Sequence, residues 1–183
     1  MVIREKTRST FADYQALPET NQIVELIDGE IVASPPLDIH QVVVGAIYAM
    51  LHSLRLGGSL RLAPTGLRVD DYNSFEPDMF WVRAESSDCV LEPDGRYWRG
   101  APDLVIEVLS PSTAYRDRGI KFDTYQQSGV REYWLVDGEG RYAEIYALVD
   151  GKFERQGLFT AEQSFVSAAL GGAEIRIDSW FGG

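Results

Sequence analysis

The chain has 183 residues, 45% of them hydrophobic and 25% charged, which suits one globular domain with a real core and excludes global disorder. Its net charge of -11 repels nucleic acid at long range, so a nucleic-acid function requires a local basic groove or a metal that offsets the acids. The single cysteine, Cys89, excludes a disulfide framework or a Cys-based zinc site within one chain and fits a reducing cytoplasm.

Met1 to Tyr14 carries charges throughout, unlike a signal peptide, and the longest apolar stretch, Val42 to Leu51, is too short to span a bilayer. There is no repeat, low-complexity tract or long linker. Thr10 reads as the N-cap of a short helix, Phe11 to Leu17, stopped near Pro18. Ile23 to Ile27 and Ile31 to Ala33 flank Asp28-Gly29, a hairpin signal. Glu25 alternates with Ile23 and Ile27 and reads as part of a solvated hairpin face. Ser34-Pro35-Pro36 ends the hairpin. Asp38 caps a helix over about Ile39 to Leu56, closed by Gly57-Gly58. Val43, Ile47, Met50, Leu51 and Leu54 have helical spacing, so this helix packs on a sheet. His40 in its first turn reads as a surface or internally satisfied histidine rather than a ligand.

Strands follow at Leu60 to Leu62, Gly66 to Val69 and Asp78 to Val82, with Arg61 and Arg68 at polar positions that are either solvated or available to phosphates. Glu85 to Gly100 reads as a polar insertion or hairpin with Asp94-Gly95 at its tip. Leu104 to Leu109 is apolar except for Glu107 and is bounded by Pro102 and Pro111, the pattern of a strand buried on both faces. The loop Ser110 to Thr113 carries helix-capping residues, and Ala114 to Ser128 reads as one helix ending at Gly129. Glu132 to Val136 is a strand, followed by the Asp137-Gly138 turn. Shorter strands are predicted at Ala143 to Val149, Lys152 to Glu154, Ser164 to Val166 and Glu174 to Ile177. The order strand, helix, strand implies an α/β sheet with a right-handed crossover.

Glu107 is the position on which the rest turns. A carboxylate in a strand buried on both faces loses its water, so it persists protonated, paired with a base or bound to a cation. Taken alone, Glu107 is either a salt-bridged core residue or a metal ligand. Three Pro-Asp pairs offer a second carboxylate. Asp103 lies four residues from Glu107 on one strand, roughly 13 Å away at about 3.3 Å per residue, too far to share one ion. Asp94 sits in the turn sequence Glu92-Pro93-Asp94-Gly95. Asp78 remains. It opens a separate strand, and neighbouring strands lie about 4.8 Å apart, so carboxylates on facing positions can meet one cation.

Lys121 is within reach of this pair. Glu107 lies roughly 7 Å below its strand end, and Lys121 lies roughly 10 Å into the returning helix, so the two reach a similar level. The bland alternative is an ordinary surface pair between Asp117 and Lys121 at i,i+4.

An aspartate, a later strand glutamate and a nearby lysine are the parts of a PD-(D/E)xK nuclease. Leu26 to Ile31, Glu76-Pro77-Asp78, Pro102 to Ser112 and Gly129 to Asp137 together resemble the Uma family of restriction-endonuclease-like proteins, over about Phe11 to Phe181. The resemblance implies a single α/β (α+β) domain over residues 1–183, a restriction-endonuclease-like mixed β-sheet flanked by helices with extra β-hairpins. It implies Asp78 and Glu107 as metal ligands for Mg²⁺, with Mn²⁺ as a substitute, and the Val108 carbonyl as a further donor. The superfamily lysine two residues after the glutamate is replaced here by Leu109, and Lys121 on the following helix matches the Uma-like pattern instead. Glu25 matches a family glutamate on the first hairpin. The implied activity is endonucleolytic hydrolysis of phosphodiester bonds, in DNA, by a homodimer. The acidic charge and the missing lysine at position 109 also support an alternative, an inactive nuclease-like fold that serves as a binding or assembly module.

Overall fold

The computed structural model describes residues 8–18, 22–33, 38–85 and 88–182. The Ser34-Pro35-Pro36 stop lies outside the described residues. Helix α1, Phe11–Gln15, starts in a capping box: the Thr10 hydroxyl accepts from the Asp13 N–H, and the Asp13 carboxylate accepts from the Thr10 N–H at 2.8 Å. Strands β1, Val24–Ile27, and β2, Glu30–Ala33, pair antiparallel across Asp28-Gly29. Both turn residues have positive φ, 48° and 75°, which the two-residue hairpin turn requires and Asp-Gly tolerates.

Helix α2, Asp38–Ser53, ends three residues before Leu56; it buries Val43, Ile47 and Leu51 of the stripe read from its spacing together with Val44, while Met50 and Leu54 are partly buried. Then come β3, Ser59–Leu62, β4, Gly66–Arg68, β5, Ser74–Phe75, and β6, Met79–Val82. Strand β5 is two residues long, too short to carry a period of its own. Within residues 88–100 lies the antiparallel pair β7, Cys89–Leu91, and β8, Tyr97–Gly100. Strand β9 is Leu104–Leu109, with the boundaries expected of the apolar run.

The segment after it differs from the single helix expected. It divides into α3, Ala114–Asp117, and α4, Ile120–Ser128, with Gly119 at the joint. A Cβ at Gly119 would stand 2.8 Å from the Tyr115 carbonyl oxygen, so the close approach at this joint depends on glycine. The chain continues through β10, Glu132–Asp137, β11, Tyr142–Val149, β12, Lys152–Thr160, β13, Ser164–Ser167, and β14, Ala173–Arg176. Strand β12 runs six residues past its expected end. Its side chains alternate weakly in polarity, and it is backbone pairing with β11, up to Tyr142 opposite Thr160, that extends it.

The central sheet has the order β12-β11-β10-β9-β6-β3 and is mixed: β9 and β10 are parallel, joined through α3 and α4, and the other neighbours are antiparallel. A second sheet has the order β2-β1-β5-β4-β8-β7. One face of the central sheet is covered by α2 and the β13–β14 hairpin, where Val43, Ile47, Ile106, Trp134, Phe165 and Trp180 form one core. The other face meets α4 and the second sheet, where Leu67, Phe75, Phe80, Val105, Tyr125 and Tyr133 form another. Strand β9 is therefore covered on both faces, as its composition required. Among the described residues, no helix is long and apolar enough to cross a membrane.

Candidate active site

Strand register brings the two acids together. Strands β6 and β9 are antiparallel with Met79 opposite Ile106, so one step outward Asp78 stands beside Glu107. Alternation then sets the faces. Met79 and Ile106 enter the core under α2, whereas Phe80 and Val105 face the second sheet, and Asp78 and Glu107 follow the latter pair. The Asp78 N–H points to Glu107 Oε2 at 3.4 Å, and the Val108 N–H donates to Asp78 Oδ2 at 2.7 Å. Asp103 lies at the far end of this sheet, where Arg83 and Arg131 each come within 3.3 Å of its Oδ1. Asp94 stays in its turn and accepts from the Arg96 N–H at 3.0 Å.

Three more elements close around the pair. From α4, Lys121 places its Nζ 2.8 Å from Glu25 Oε1, 3.1 Å from Glu107 Oε1 and 3.5 Å from Asp117 Oδ1. Tyr125, one turn further on, donates its hydroxyl to Glu107 Oε1 at 3.2 Å. Glu25 comes from β1 in the second sheet and also accepts from the Glu76 N–H at 3.0 Å. From the first turn of α2, His40 Nε2 lies 3.0 Å from Asp78 Oδ2.

One of these placements differs from the reading of its local pattern, one removes the alternative reading of a pair, and one was not foreseen. Glu25 does not sit on a solvated hairpin face, because the second sheet turns that face onto α4 and leaves it 7% exposed. Asp117 and Lys121 are not a surface pair: they are 3% and 5% exposed. His40 is an internally satisfied histidine, but the group that satisfies it is one of the two predicted ligands, and no local sequence signal pairs positions 40 and 78. Arg61 lies over the Trp98 ring, and Arg68 pairs with Asp71 and Glu92, so neither enters the cleft.

The electrostatics follow from burial. Four buried carboxyl groups, Glu25, Asp78, Glu107 and Asp117, face one ammonium and one imidazole. Burial drives the Glu107 carboxyl well above the usual range; Lys121 opposes this, while Asp117, Asp78 and Glu25 add to it. Burial raises Asp117 in the same way, against the pull of Lys121. Burial alone would lower Lys121, but the carboxylates of Glu107, Glu25 and Asp117 reverse this and hold the ammonium well above its ordinary value. Burial would likewise lower His40, and its bond to Asp78 raises it instead. Glu76 beside the cleft is pushed up to about 7 by burial and by Glu25.

These groups line a cleft of about 50 Å³ whose wall includes Glu25, His40, Asp78, Glu107, Val108 and Lys121. Among the described residues, no three His, Cys, Asp or Glu side chains form a ready cation cage. The donor set nevertheless fits a hard divalent cation of the Mg²⁺ kind, which binds through one or two carboxylates and takes its remaining oxygens from water and substrate phosphate. The Val108 N–H points to Asp78, so its carbonyl leaves β9 on the same edge. The surplus of buried carboxyl groups over bases is the observation that favours such an ion.

Residues 11–178 match the model of the Uma2 family, described as "Putative restriction endonuclease". Among solved structures, the chain is similar to a "putative nuclease belonging to DUF820" from Anabaena variabilis ATCC 29413, with a TM-score of 0.77, 22% identity, and coverage of 94% of this chain and 97% of that one. At that identity the likeness speaks to the fold. No curated protein matches the chain.

Proposed function

The chain belongs to the Uma2 family, and from that membership we propose that it is a divalent-cation-dependent endonuclease that hydrolyses phosphodiester bonds in DNA. The observation that carries the reading is the meeting of Asp78, Glu107 and Lys121 in one cleft. Asp78 and Glu107, with the Val108 carbonyl, would hold Mg²⁺ or Mn²⁺. Bound there, such an ion would polarise the phosphate and lower the pKa of a water.

The chain's own groups supply the rest. Lys121, surrounded by three carboxylates, stays an ammonium and therefore donates hydrogen bonds rather than removing a proton. It orients the attacking water and offsets charge gathering on the phosphate oxygens. Glu25, on β1 of the second sheet, also holds that ammonium. Water attacks phosphorus and gives up a proton to solvent, the bond to the leaving oxygen breaks, and that oxygen takes a proton from solvent, with no covalent intermediate. Cutting both strands of a duplex would favour two copies about a two-fold axis.

The test is nicking of supercoiled DNA by the purified chain with Mg²⁺ or Mn²⁺ and with EDTA. Nicking that needs the ion and disappears in Asp78→Ala and Glu107→Ala supports the reading. Equal cutting by both variants removes it. The second reading, a binding or assembly module, draws on the net charge of -11 and on the Lys121 ammonium, which already bridges three of the acids. It requires that no cleavage occur with either ion.

A further inference from the structure

We propose that His40 is a positioning residue of this cleft: with the Val108 amide it fixes one oxygen of Asp78, Oδ2, and so turns the other, Oδ1, toward the divalent cation. The inference rests on the reading of the cleft as a cation site. Its ground is the arrangement of donors. His40 Nε2 stands 3.0 Å from Asp78 Oδ2, and the Val108 nitrogen stands 2.7 Å from the same atom. Both His40 and Asp78 side chains are largely enclosed, at 11% and 12% exposure, so water does not readily replace either donor. Among the described residues, Asp78 Oδ1 accepts no hydrogen bond.

The neighbouring side chain supports the donor role. Gln41 Nε2 lies 3.4 Å from His40 Nδ1, so its amide can donate there and leave the ring hydrogen on Nε2, facing Asp78. The last torsion of an aspartate is broad and nearly two-fold. A carboxylate held by one backbone amide can swing about that bond, whereas a second donor from another direction stops it. That donor comes from α2, which packs on the opposite face of the central sheet from α4. Helix α2 therefore fixes the aim of Asp78, while α4 supplies Lys121 to Glu107. Partners of this kind orient metal ligands and typically change metal affinity by about 10- to 100-fold when removed.

The bland alternative is a tether that pins the start of α2 to the sheet and affects stability alone. Titration with Mn²⁺ alone, read as free Mn²⁺ by electron paramagnetic resonance in the absence of nucleic acid, separates the two. The chains compared are the parent, His40→Phe, which keeps a ring but no donor, His40→Gln, which keeps an N–H donor, and Asp78→Ala. Thermal melting in EDTA confirms that each is folded. The proposal expects Mn²⁺ binding by the parent, none by Asp78→Ala, affinity about 10- to 100-fold weaker in His40→Phe and recovery of most of it in His40→Gln. Parent-like affinity in His40→Phe overturns the positioning role and leaves the cation reading standing. Absence of Mn²⁺ binding in the parent removes the cation reading, and this inference with it.

Discussion

Lys121 Nζ lies 3.1 Å from Glu107 Oε1, although one residue stands on a strand and the other on the second of the two helices that follow it. The joint at Gly119 starts a new helix two residues before the lysine and aims it back at the strand. In this way a cation reaches the buried glutamate while Leu109, at the place where a lysine would follow the glutamate on the strand, packs partly buried against the second core.

Cation binding is expected to stabilise the parent and not its acid variants. An ion at one hundred times its dissociation constant adds about 2.7 kcal/mol to a folded state that alone binds it. Melting of the parent with and without Mg²⁺ should show that rise. Asp78→Ala and Glu107→Ala should melt cooperatively but without the rise, and a full rise in either would place the ion elsewhere.

Lys121→Met should be strongly destabilising at neutral pH. It leaves Glu25, Glu107 and Asp117 buried without their ammonium, and stripping one partner from a buried ion pair costs about 3–5 kcal/mol. Glu107 and Asp117 already have raised folded-state values. Acids of that kind favour the folded state more as pH falls toward their unfolded values, so the deficit should shrink at acidic pH. Urea unfolding at neutral and mildly acidic pH measures both effects.

Glu144 makes the opposite prediction. Burial alone would raise it, but the bond from Arg118, 2.6 Å away, the Tyr146 hydroxyl at 2.9 Å and the Arg155 guanidinium at 3.2 Å bring it below the usual glutamate range. A folded value below the unfolded one gives stability that is present above the unfolded value and is lost as pH falls through the folded one. Glu144→Gln should therefore lose about 1–2 kcal/mol at neutral pH, with the difference closing in acid. A constant difference across a pH series of denaturant melts would refute this.

Gly119→Ala tests the helix joint. The new methyl would meet the Tyr115 carbonyl oxygen at 2.8 Å, and that oxygen is backbone, so α3 and α4 must part. Overpacking of this order costs about 1–3 kcal/mol. The accompanying displacement of Lys121, two residues on, should lower any cleavage rate more than Gly129→Ala does. Denaturant midpoints and nicking rates of the two variants report the comparison.

Part of this site was legible in the residues because it depends on nearest-neighbour arithmetic. An apolar run with one acid forces the question of Glu107's partner, and strand spacing rejects Asp103. The Asp78–Glu107 pairing needs β6 and β9 to be neighbours, which the residues suggest, and the register that sets Met79 opposite Ile106, which the structure supplies. The level argument for Lys121 held in outline, although it assumed one continuous helix where the structure has two. Glu25, Asp117 and His40 were harder. A glutamate alternating with isoleucines in a hairpin, an acid four residues before a lysine and a histidine in a first helical turn all have the same local pattern whether they face water or a core.

By itself the sequence determined the strand that must be buried, the acid that strand cannot bury unaided, the cap at Thr10 and the helix stop at Gly129, since each follows from hydrophobic period and turn chemistry within a few residues. Only the tertiary structure decided which faces meet. The second sheet and α4 cover one side of the central sheet and exclude water there, and that exclusion turns Glu25 and Asp117 from ordinary polar positions into members of a buried charge cluster. On the other side, α2 delivers His40 to Asp78. Desolvation is a property of what packs over a residue, and no stretch of chain contains its own cover.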